Sequence, residues 1–329
     1  MKKITMLAFD DAASTTITGP MDVFQLTGTI WNRLHGNAPA PYFQVEAVSP
    51  TGDPVRCSNG LTIGVNRSMD EVEGSDLIII SAMVEIERNL EKQQRVIPWL
   101  QKQYASGCQI AAVCMGTFVL AETGLLDGKI ATTHWGVVEK FRKRYPEVVL
   151  KPEQLFTDAC DLYCSGAFSS SIDLSIYLVE KFFGREVAVQ TAKVLVHDIG
   201  RISQAPYTPF NFQRNHHDEA ILKSQRLMEE EFASHFDIAR LAAKQGIGRR
   251  TFERRFKAAT GDSPLHYLQR VRVEKAKKVL ESEWKTLEEI SYQVGYEDTS
   301  FFKKVFVRHT GLKPTEYRAK FMRVVDFSR

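Results

Sequence analysis

No stretch of this sequence approaches the roughly 18 consecutive apolar residues of a membrane-spanning helix. Its opening, MKKITMLAFDD, has two lysines but only a short apolar-leaning run before Asp10 and Asp11, too little for the apolar core of a secretory leader. A cytoplasmic protein without membrane contact is therefore expected. Cysteine is sparse: Cys57, Cys108, Cys114, Cys160 and Cys164 are an odd number at scattered spacings, which excludes a disulfide framework. Cys160-x-x-x-Cys164 lacks two further ligands at zinc spacing, so neither a metal site nor a cofactor is expected. Low-complexity tracts are absent, and no charge sign dominates, with 43 Lys and Arg against 40 Asp and Glu.

That balance hides a division. Residues 218–329 hold 23 basic against 17 acidic side chains, while 1–217 hold 20 against 23. A basic C-terminal part joined to a mildly acidic N-terminal part suits nucleic acid as the partner of the former alone. At 329 residues the chain can support two domains with their own cores.

The C-terminal part says one thing twice. IARLAAKQGIGRRTFERRFKAATGDSPLHYLQ, from Ile238, is echoed by LEEISYQVGYEDTSFFKKVFVRHTGLKPTEYR, from Leu287. Phe252 matches Phe302, Phe256 matches Phe306, Gly261 matches Gly311, Pro264 matches Pro314 and Tyr267 matches Tyr317, each at an offset of 50. In each copy a short apolar-periodic helix ends at a glycine suited to a positive-φ turn, Gly246 or Gly295. A second helix then buries phenylalanines at i and i+4. Asp237 is a candidate N-cap, and Thr286 with Glu289 forms a candidate capping box. The pattern predicts an all-α domain with paired helix-turn-helix motifs.

With the Phe pairs turned inward, a 100° step puts Arg250, Arg254 and Lys257 on the outer face of the first recognition helix, and Ser300, Lys303 and Lys304 on that of the second. Arg249, Thr251, Glu253 and Thr299 complete the expected DNA-contacting set. Arginine suits guanine edges, Ser and Thr either base type, and lysine phosphate. One basic helix face alone is ordinarily a solvated face; its duplication at fixed spacing favours DNA. Between the modules, residues 264–282 are helically periodic and would span roughly 28 Å, near the ~34 Å that separates successive major-groove faces.

Residues 218–325 resemble the DNA-binding domain of AraC/XylS-family transcriptional regulators. The second copy carries the resemblance, through its G-Y, S-x-F-x-K-x-F and G-x-x-P-x-x-Y-R elements. Gly248 departs from the hydroxyl N-cap usual before the first recognition helix.

The N-terminal part alternates strands with helices, which predicts an α/β domain with a flavodoxin-like parallel sheet. Expected strands are 3–9, 43–49, 77–81, 109–113 and 131–134. Expected helices start at Pro20 and cover 87–104, the stretch after Cys114, 137–144, 170–183 and 186–198. Residues 203–217, with two prolines and no period, read as a linker between domains at 1–202 and 218–329. Trp31, Trp99, Trp135 and Trp284 are expected in cores or interfaces, and His216 and His217 in solvent.

Ile110-Ala-Ala-Val-Cys114-Met-Gly116 sets a cysteine at a strand-to-helix junction, the geometry of a nucleophile elbow. There the helix dipole would lower the thiol pKa, and His134 would project toward the same edge. The plainer alternative is a small buried cysteine and a hydrogen-bonded histidine.

V-C-M-G at 113–116, L-A-E-T-G-L-L-D-G at 120–128, A-T-T-H-W at 131–135 and G-A-x(4)-I-D-L at 166–174 resemble the ThiJ/PfpI group of class I glutamine amidotransferase-like domains over residues 1–200. The order of the two domains is that of GlxA-type AraC regulators. In enzymes of the superfamily an acid from the loop after the first strand approaches the elbow cysteine; here that position is Thr16, with Asp10 and Asp11 out of register. The resemblance thus implies a degenerate elbow at Cys114 and His134 and no catalytic residue. It implies a regulator sensing a small, nitrogen-containing metabolite at Cys114, Met115, His134, Trp135, Gly166 and Ala167. Operator DNA, RNA polymerase and a second copy of the chain are the expected partners. The competing reading is a cysteine-dependent amidase- or deglycase-like enzyme with an attached DNA-binding domain.

Overall fold

The computed structural model describes residues 1–322; the last seven residues of the domain placed at 218–329 lie outside the described residues. The chain forms two compact units, residues 1–204 and a second beginning at Ala205.

In the first unit, β1 (Lys2–Leu7) leads to α1 (Thr15–Leu26), the short α2 (Ile30–Leu34) and β2 (Phe43–Ser49). A hairpin of β3 (Val55–Arg56) and β4 (Thr62–Ile63) precedes β5 (Arg67–Ser68) and β6 (Leu77–Ile80). Then come α3 (Ile86–Lys92), α4 (Val96–Ala105), β7 (Gln109–Val113), α5 (Thr117–Glu122), β8 (Ile130–Ala131), α6 (Val138–Arg144) and β9 (Val149–Leu150). β10 (Phe156–Asp158), β11 (Leu162–Ser165), α7 (Ser170–Phe183) and α8 (Arg185–Leu195) complete the unit.

The main sheet runs β10-β11-β7-β6-β1-β2-β5. Its pairs are parallel except β10 with β11, which is antiparallel, so the sheet is parallel-dominated rather than wholly parallel. The central strands read as unbroken apolar runs because both their faces are covered. Ile78, Ile80, Ile110, Ala112 and Cys164 pack under α3 to α6. Ile79, Ala111, Val113 and Tyr163 pack under α1, α7 and α8.

β1 stops at Leu7 rather than at 9, and α8 at Leu195 rather than at 198; three further boundaries differ from expectation, each for a physical reason. The first helix starts at Thr15 and carries Pro20 inside it. Its first turn is fixed from outside: Ala13 N–H donates to the Ala82 carbonyl, and the Thr16 hydroxyl accepts from Ala82 N–H while donating to the Ala13 carbonyl. The helix expected over 87–104 breaks into α3 and α4, which puts Pro98 in the first turn of α4, where a missing N–H costs nothing. The strand expected at 131–134 stops at Ala131, because the Thr132 and Thr133 hydroxyls donate to the carbonyls of Gln154 and Cys114 instead of extending a ladder.

The second unit comprises α9 (Glu219–Glu230), α10 (Ile238–Lys244), α11 (Arg249–Thr260), α12 (Pro264–Ser282), α13 (Leu287–Gln293), α14 (Thr299–Thr310) and α15 (Pro314–Phe321). It has two cores, and α12 supplies both. Tyr267, Leu268 and Val271 join Phe252 and Phe256, while Val273, Ala276 and Leu280 join Phe302 and Phe306. The duplication extends to polar detail: the Tyr267 and Tyr317 hydroxyls donate to Glu229 and Glu281, each at 2.6 Å. The stretch read as a linker is instead packed. Ser203 and Gln204 bond to the Glu153 carbonyl in the first unit. In the second, buried Phe210 lies against Tyr267 and under the Arg270 guanidinium, because its aromatic side chains, not its backbone period, decide where this segment goes. Trp284 is 73% exposed, so it is not a core residue; His217 is exposed, but His216 is half-buried and bonds to Gln225.

Candidate nucleic-acid interface and effector site

The two recognition helices, α11 and α14, are built alike, and their caps explain where they begin. The Asp298 carboxylate accepts from the N–H groups of Ser300 and Phe301, whereas Gly248 offers α11 no side chain. Upstream, Asp237 caps α10, and Thr286 with Glu289 forms the complete capping box of α13. Gly295 is required at its turn: φ is +85°, and a Cβ there would stand 2.6 Å from the Ala233 carbonyl oxygen.

Phe252, Phe256, Phe302 and Phe306 are fully buried, which turns the opposite faces outward. Arg249, Arg250, Thr251, Arg254 and Lys257 are exposed on α11, as are Ser300, Lys303 and Lys304 on α14. Glu253 and Thr299 are half-exposed. Arg249 pairs with Glu253 at 3.0 Å. Arg250, Arg254, Lys257, Lys303 and Lys304 have no ion-pair partner among the described residues. Their charge is thus available to a polyanion. Arg255, by contrast, is spent internally: it holds the Asp218 carboxylate through two bonds of 2.7 and 2.8 Å, which tie α11 to the start of α9 and hold the Asp218 pKa below the usual carboxylate range. Two exposed aromatic side chains escaped the charge pattern, Phe301 at 45% and Tyr292 at 78%. Both border a groove of about 740 Å³ between the modules, with Leu268, Arg272 and Tyr296 along its walls. For Phe301 the usable signal was its repeat equivalence with Thr251.

In the first unit, the parallel strands β6, β7 and β11 end side by side, with Ile80 opposite Ala112 and Ser165 opposite Val113. Cys114 follows at once with φ +54°, the left-handed conformation of a sharp elbow. The turn is possible because position 116 is glycine: a Cβ there would lie 2.7 Å from the Ser81 carbonyl oxygen and 2.8 Å from that of Ile80. The thiol is fully buried, and burial pushes its pKa up to about 12, outweighing the hydrogen bond from the Met115 backbone. This reverses the lowering expected from a helix dipole. α5 has only six residues and starts one turn later, so its dipole is too weak to offset desolvation.

Around the elbow, hydrogen bonds and ring contacts connect some of the expected residues. The Thr133 hydroxyl donates to the Cys114 carbonyl at 3.0 Å, and the Gln204 amide donates to the Thr133 carbonyl at 2.9 Å. Gln204 also covers Gly166 so closely that a Cβ there would be 2.3 Å from its nitrogen. Next along, the half-buried His134 ring accepts from the Gly136 N–H and lies against Trp135 and Phe168. Burial lowers its pKa, favouring the neutral ring. Met115 is partly buried between both cores, and the Ala167 N–H donates to Ser170. The hydroxyls of Ser81 and Ser165, flanking the end of β7, are buried with no hydrogen-bond partner among the described residues. Thr16 is fully buried and occupied by Ala13 and Ala82, as described above. Gln204 was missed because its segment read as linker.

Comparison with known proteins matches residues 2–181 to the DJ-1/PfpI family and residues 241–320 to a helix-turn-helix domain. The chain is 26% identical over 295 residues to the HTH-type transcriptional regulator CdhR of Pseudomonas aeruginosa, covering 88% of this chain and 84% of that protein. It is 23% identical over 283 residues to the HTH-type transcriptional regulator GlxA of Rhizobium meliloti, covering 85% and 86%. An isonitrile hydratase of Pseudomonas putida is 26% identical over 211 residues, 64% of this chain and 81% of the enzyme. The crystal structure of an AraC family transcriptional regulator from Pseudomonas putida superposes with a TM-score of 0.51 at 19% identity, over 59% of this chain and 100% of that one. Drosophila melanogaster DJ-1beta gives 0.51 at 18%, over 60% and 98%. These two likenesses bear on fold alone.

Proposed function

Since this chain belongs to the DJ-1/PfpI family and carries a C-terminal helix-turn-helix domain of the AraC type, we propose that it is a sequence-specific transcriptional regulator whose first unit binds a small metabolite without turning it over. The carrying observation is the pair of recognition helices whose outward Arg250, Arg254, Lys257, Lys303 and Lys304 no acidic side chain in the described residues neutralises. Such a surface meets phosphate and guanine edges in adjacent groove segments. The named relatives CdhR and GlxA, aligned along most of their length, support the same reading. Acting on DNA puts the protein in the compartment that holds the chromosome, the cytoplasm in bacteria such as those of the relatives. Among the described residues no helix is long and apolar enough to cross a membrane.

The effector site we assign to Met115, His134, Trp135, Gly166 and Ala167, with Cys114 beneath. The hydroxyls of Ser81 and Ser165, without a hydrogen-bond partner among the described residues, favour a polar effector, in keeping with a small nitrogen-containing metabolite. Turnover needs an activated nucleophile beside a base. A buried thiol with its pKa near 12 and Thr16 at the acid position supply neither. The likeness to isonitrile hydratase is the ground for the enzymatic alternative. A homodimer through the first unit and contact with RNA polymerase complete the proposal; a two-fold pair is the commonest way to join two DNA-reading units.

Reporter transcription and DNA affinity, measured together, test the reading. Cys114→Ala should keep the effector response, and Cys114→Trp should abolish it while DNA binding persists. Loss of response in Cys114→Ala together with consumption of the effector by the wild type would establish the enzyme instead. If Arg254→Ala combined with Lys304→Ala left operator affinity unchanged, the recognition-helix assignment would be wrong. Sedimentation of the full chain as a monomer at micromolar concentration would remove the dimer.

A further inference from the structure

The two recognition helices also agree at a position that charge does not reveal. Counted from the N-caps Gly248 and Asp298, the third residue of α11 is Thr251 and that of α14 is Phe301. Both are exposed. Leaving a phenylalanine side chain 45% exposed forgoes part of the stabilisation that burial would bring, and Phe302 beside it shows that the chain buries phenylalanine where packing wants it. The 100° step sets Thr251 beside Arg254 on the outward side of α11, and Phe301 beside Lys304 on the flank of α14, where the outer face meets the groove lined by Tyr292 and Tyr296. Phe301 is also held in place: its N–H is bonded to the Asp298 carboxylate, and its ring lies 5.9 Å from that of Tyr296.

The first turn of a recognition helix is the part that meets base edges in the major groove. There the 5-methyl of thymine is the distinctive apolar group, and the threonine methyl and the phenylalanine ring are side chains that pack against it. Lys304, one turn on from Phe301, attracts a polyanion, while the Asp298 charge is directed into two backbone N–H groups. A protein docked on Phe301 would leave the matching position of Thr251 unexplained; DNA accounts for both. We infer that Phe301 and Thr251 are specificity-determining residues, each contacting the 5-methyl group of one thymine, in successive major-groove segments. The two modules are set apart by α12, so the thymines fall about one helical turn, 10–10.5 base pairs, apart.

This inference rests on the DNA-binding reading, and the test separates the two. Sites are selected from randomised duplex DNA with the full chain, and each thymine of the selected site is then replaced by deoxyuridine, which removes the methyl alone. Two positions about 10 or 11 base pairs apart should each lose about three- to tenfold in affinity, the scale of one buried methyl. Phe301→Ala should abolish the sensitivity at one of them. Thr251→Ser, which keeps the hydroxyl and loses the methyl, should abolish it at the other. Neither change removes a charge, so the salt dependence of binding should stay as it was. Both sites are exposed, and unchanged thermal melting would confirm that the variants fold. Sensitivity to deoxyuridine that persists in Phe301→Ala, or a selected site without any methyl-sensitive position, would overturn the inference and leave the DNA reading intact. Failure to enrich any sequence would overturn both.

Discussion

Cys114 combines the backbone of a nucleophile elbow with the environment of a core residue. Burial sets its chemistry: with the pKa near 12, the thiolate fraction at neutral pH is negligible. Iodoacetamide at pH 8 should therefore label exposed Cys160 readily and leave Cys114 unmodified until the chain is unfolded, as read by mass spectrometry of tryptic peptides. Labelling of Cys114 in the folded protein at a comparable rate would contradict the burial argument. A second group, the half-buried His309, sets an acid limit. His309 packs against His266, with Arg270, Arg308 and Asp262 nearby, and its Nε2 has no hydrogen-bond partner among the described residues. Desolvation, followed by the neighbouring positive groups, lowers its pKa to about 4. The unfolded chain binds this proton near pH 6.5 and the folded chain does not, so stability is full above about pH 6.5 and falls as pH drops toward 4. His309→Gln should remove that part of the decline, on the order of 1 kcal/mol after screening by solvent, seen as a smaller shift of the urea midpoint between pH 7 and pH 4.5. An identical shift in both proteins would assign the acid sensitivity elsewhere.

At the scale of the element, the two modules differ most in their caps. Thr286→Ala, which breaks the box at α13, should cost about 1 kcal/mol. Gly248→Ser should gain only a few tenths, because glycine is itself a tolerable N-cap and nothing crowds the site. Thermal unfolding of the two variants would show this asymmetry, and equal and opposite shifts would refute it. The caps, the turn glycines and the buried phenylalanines were legible in the sequence because each is a local signal repeated at fixed spacing. The strand run Gln109–Val113 and the cysteine after it were legible for a similar reason, a short apolar run closed by a tight turn. What local pattern could not carry was decided from outside the element. Bonds from Ala82 start α1 before Pro20, and threonine hydroxyls end β8. The sign of the Cys114 shift depends on atoms from other elements packed over the thiol. β3, β4 and β5 are two residues each, too short for any period to register.

For the whole molecule, the important residue is the last one of the first unit. Gln204 closes the first unit, and its amide bonds to Thr132, Thr133 and Gln154 while resting on Gly166. An effector seated against Gly166 and His134 would displace or tighten that side chain, and the next residue, Ala205, begins the DNA-reading unit. A ligand can shift such an arrangement only by binding its two states unequally. Gln204→Ala should therefore leave effector affinity and operator affinity each within about threefold of wild type yet uncouple them, so that the effector no longer changes DNA binding. Coupling that survives in Gln204→Ala, measured by operator titrations with and without effector, would route the signal through other residues.

α12 couples the history of the protein to that of its binding sites. Inserting one residue would turn one module by 100° relative to the other, misaiming α14 whatever its side chains. Inserting seven would nearly restore the angle but add about 10.5 Å, about three base pairs of DNA, over which the groove itself has turned by roughly 100°. Helix and duplex have incommensurate pitches, so no small insertion satisfies both. Substitutions on the recognition faces are open to drift, and operators can change letter by letter in step with them. Descendants of this chain should accordingly diverge in which bases they read long before they diverge in how far apart they read them.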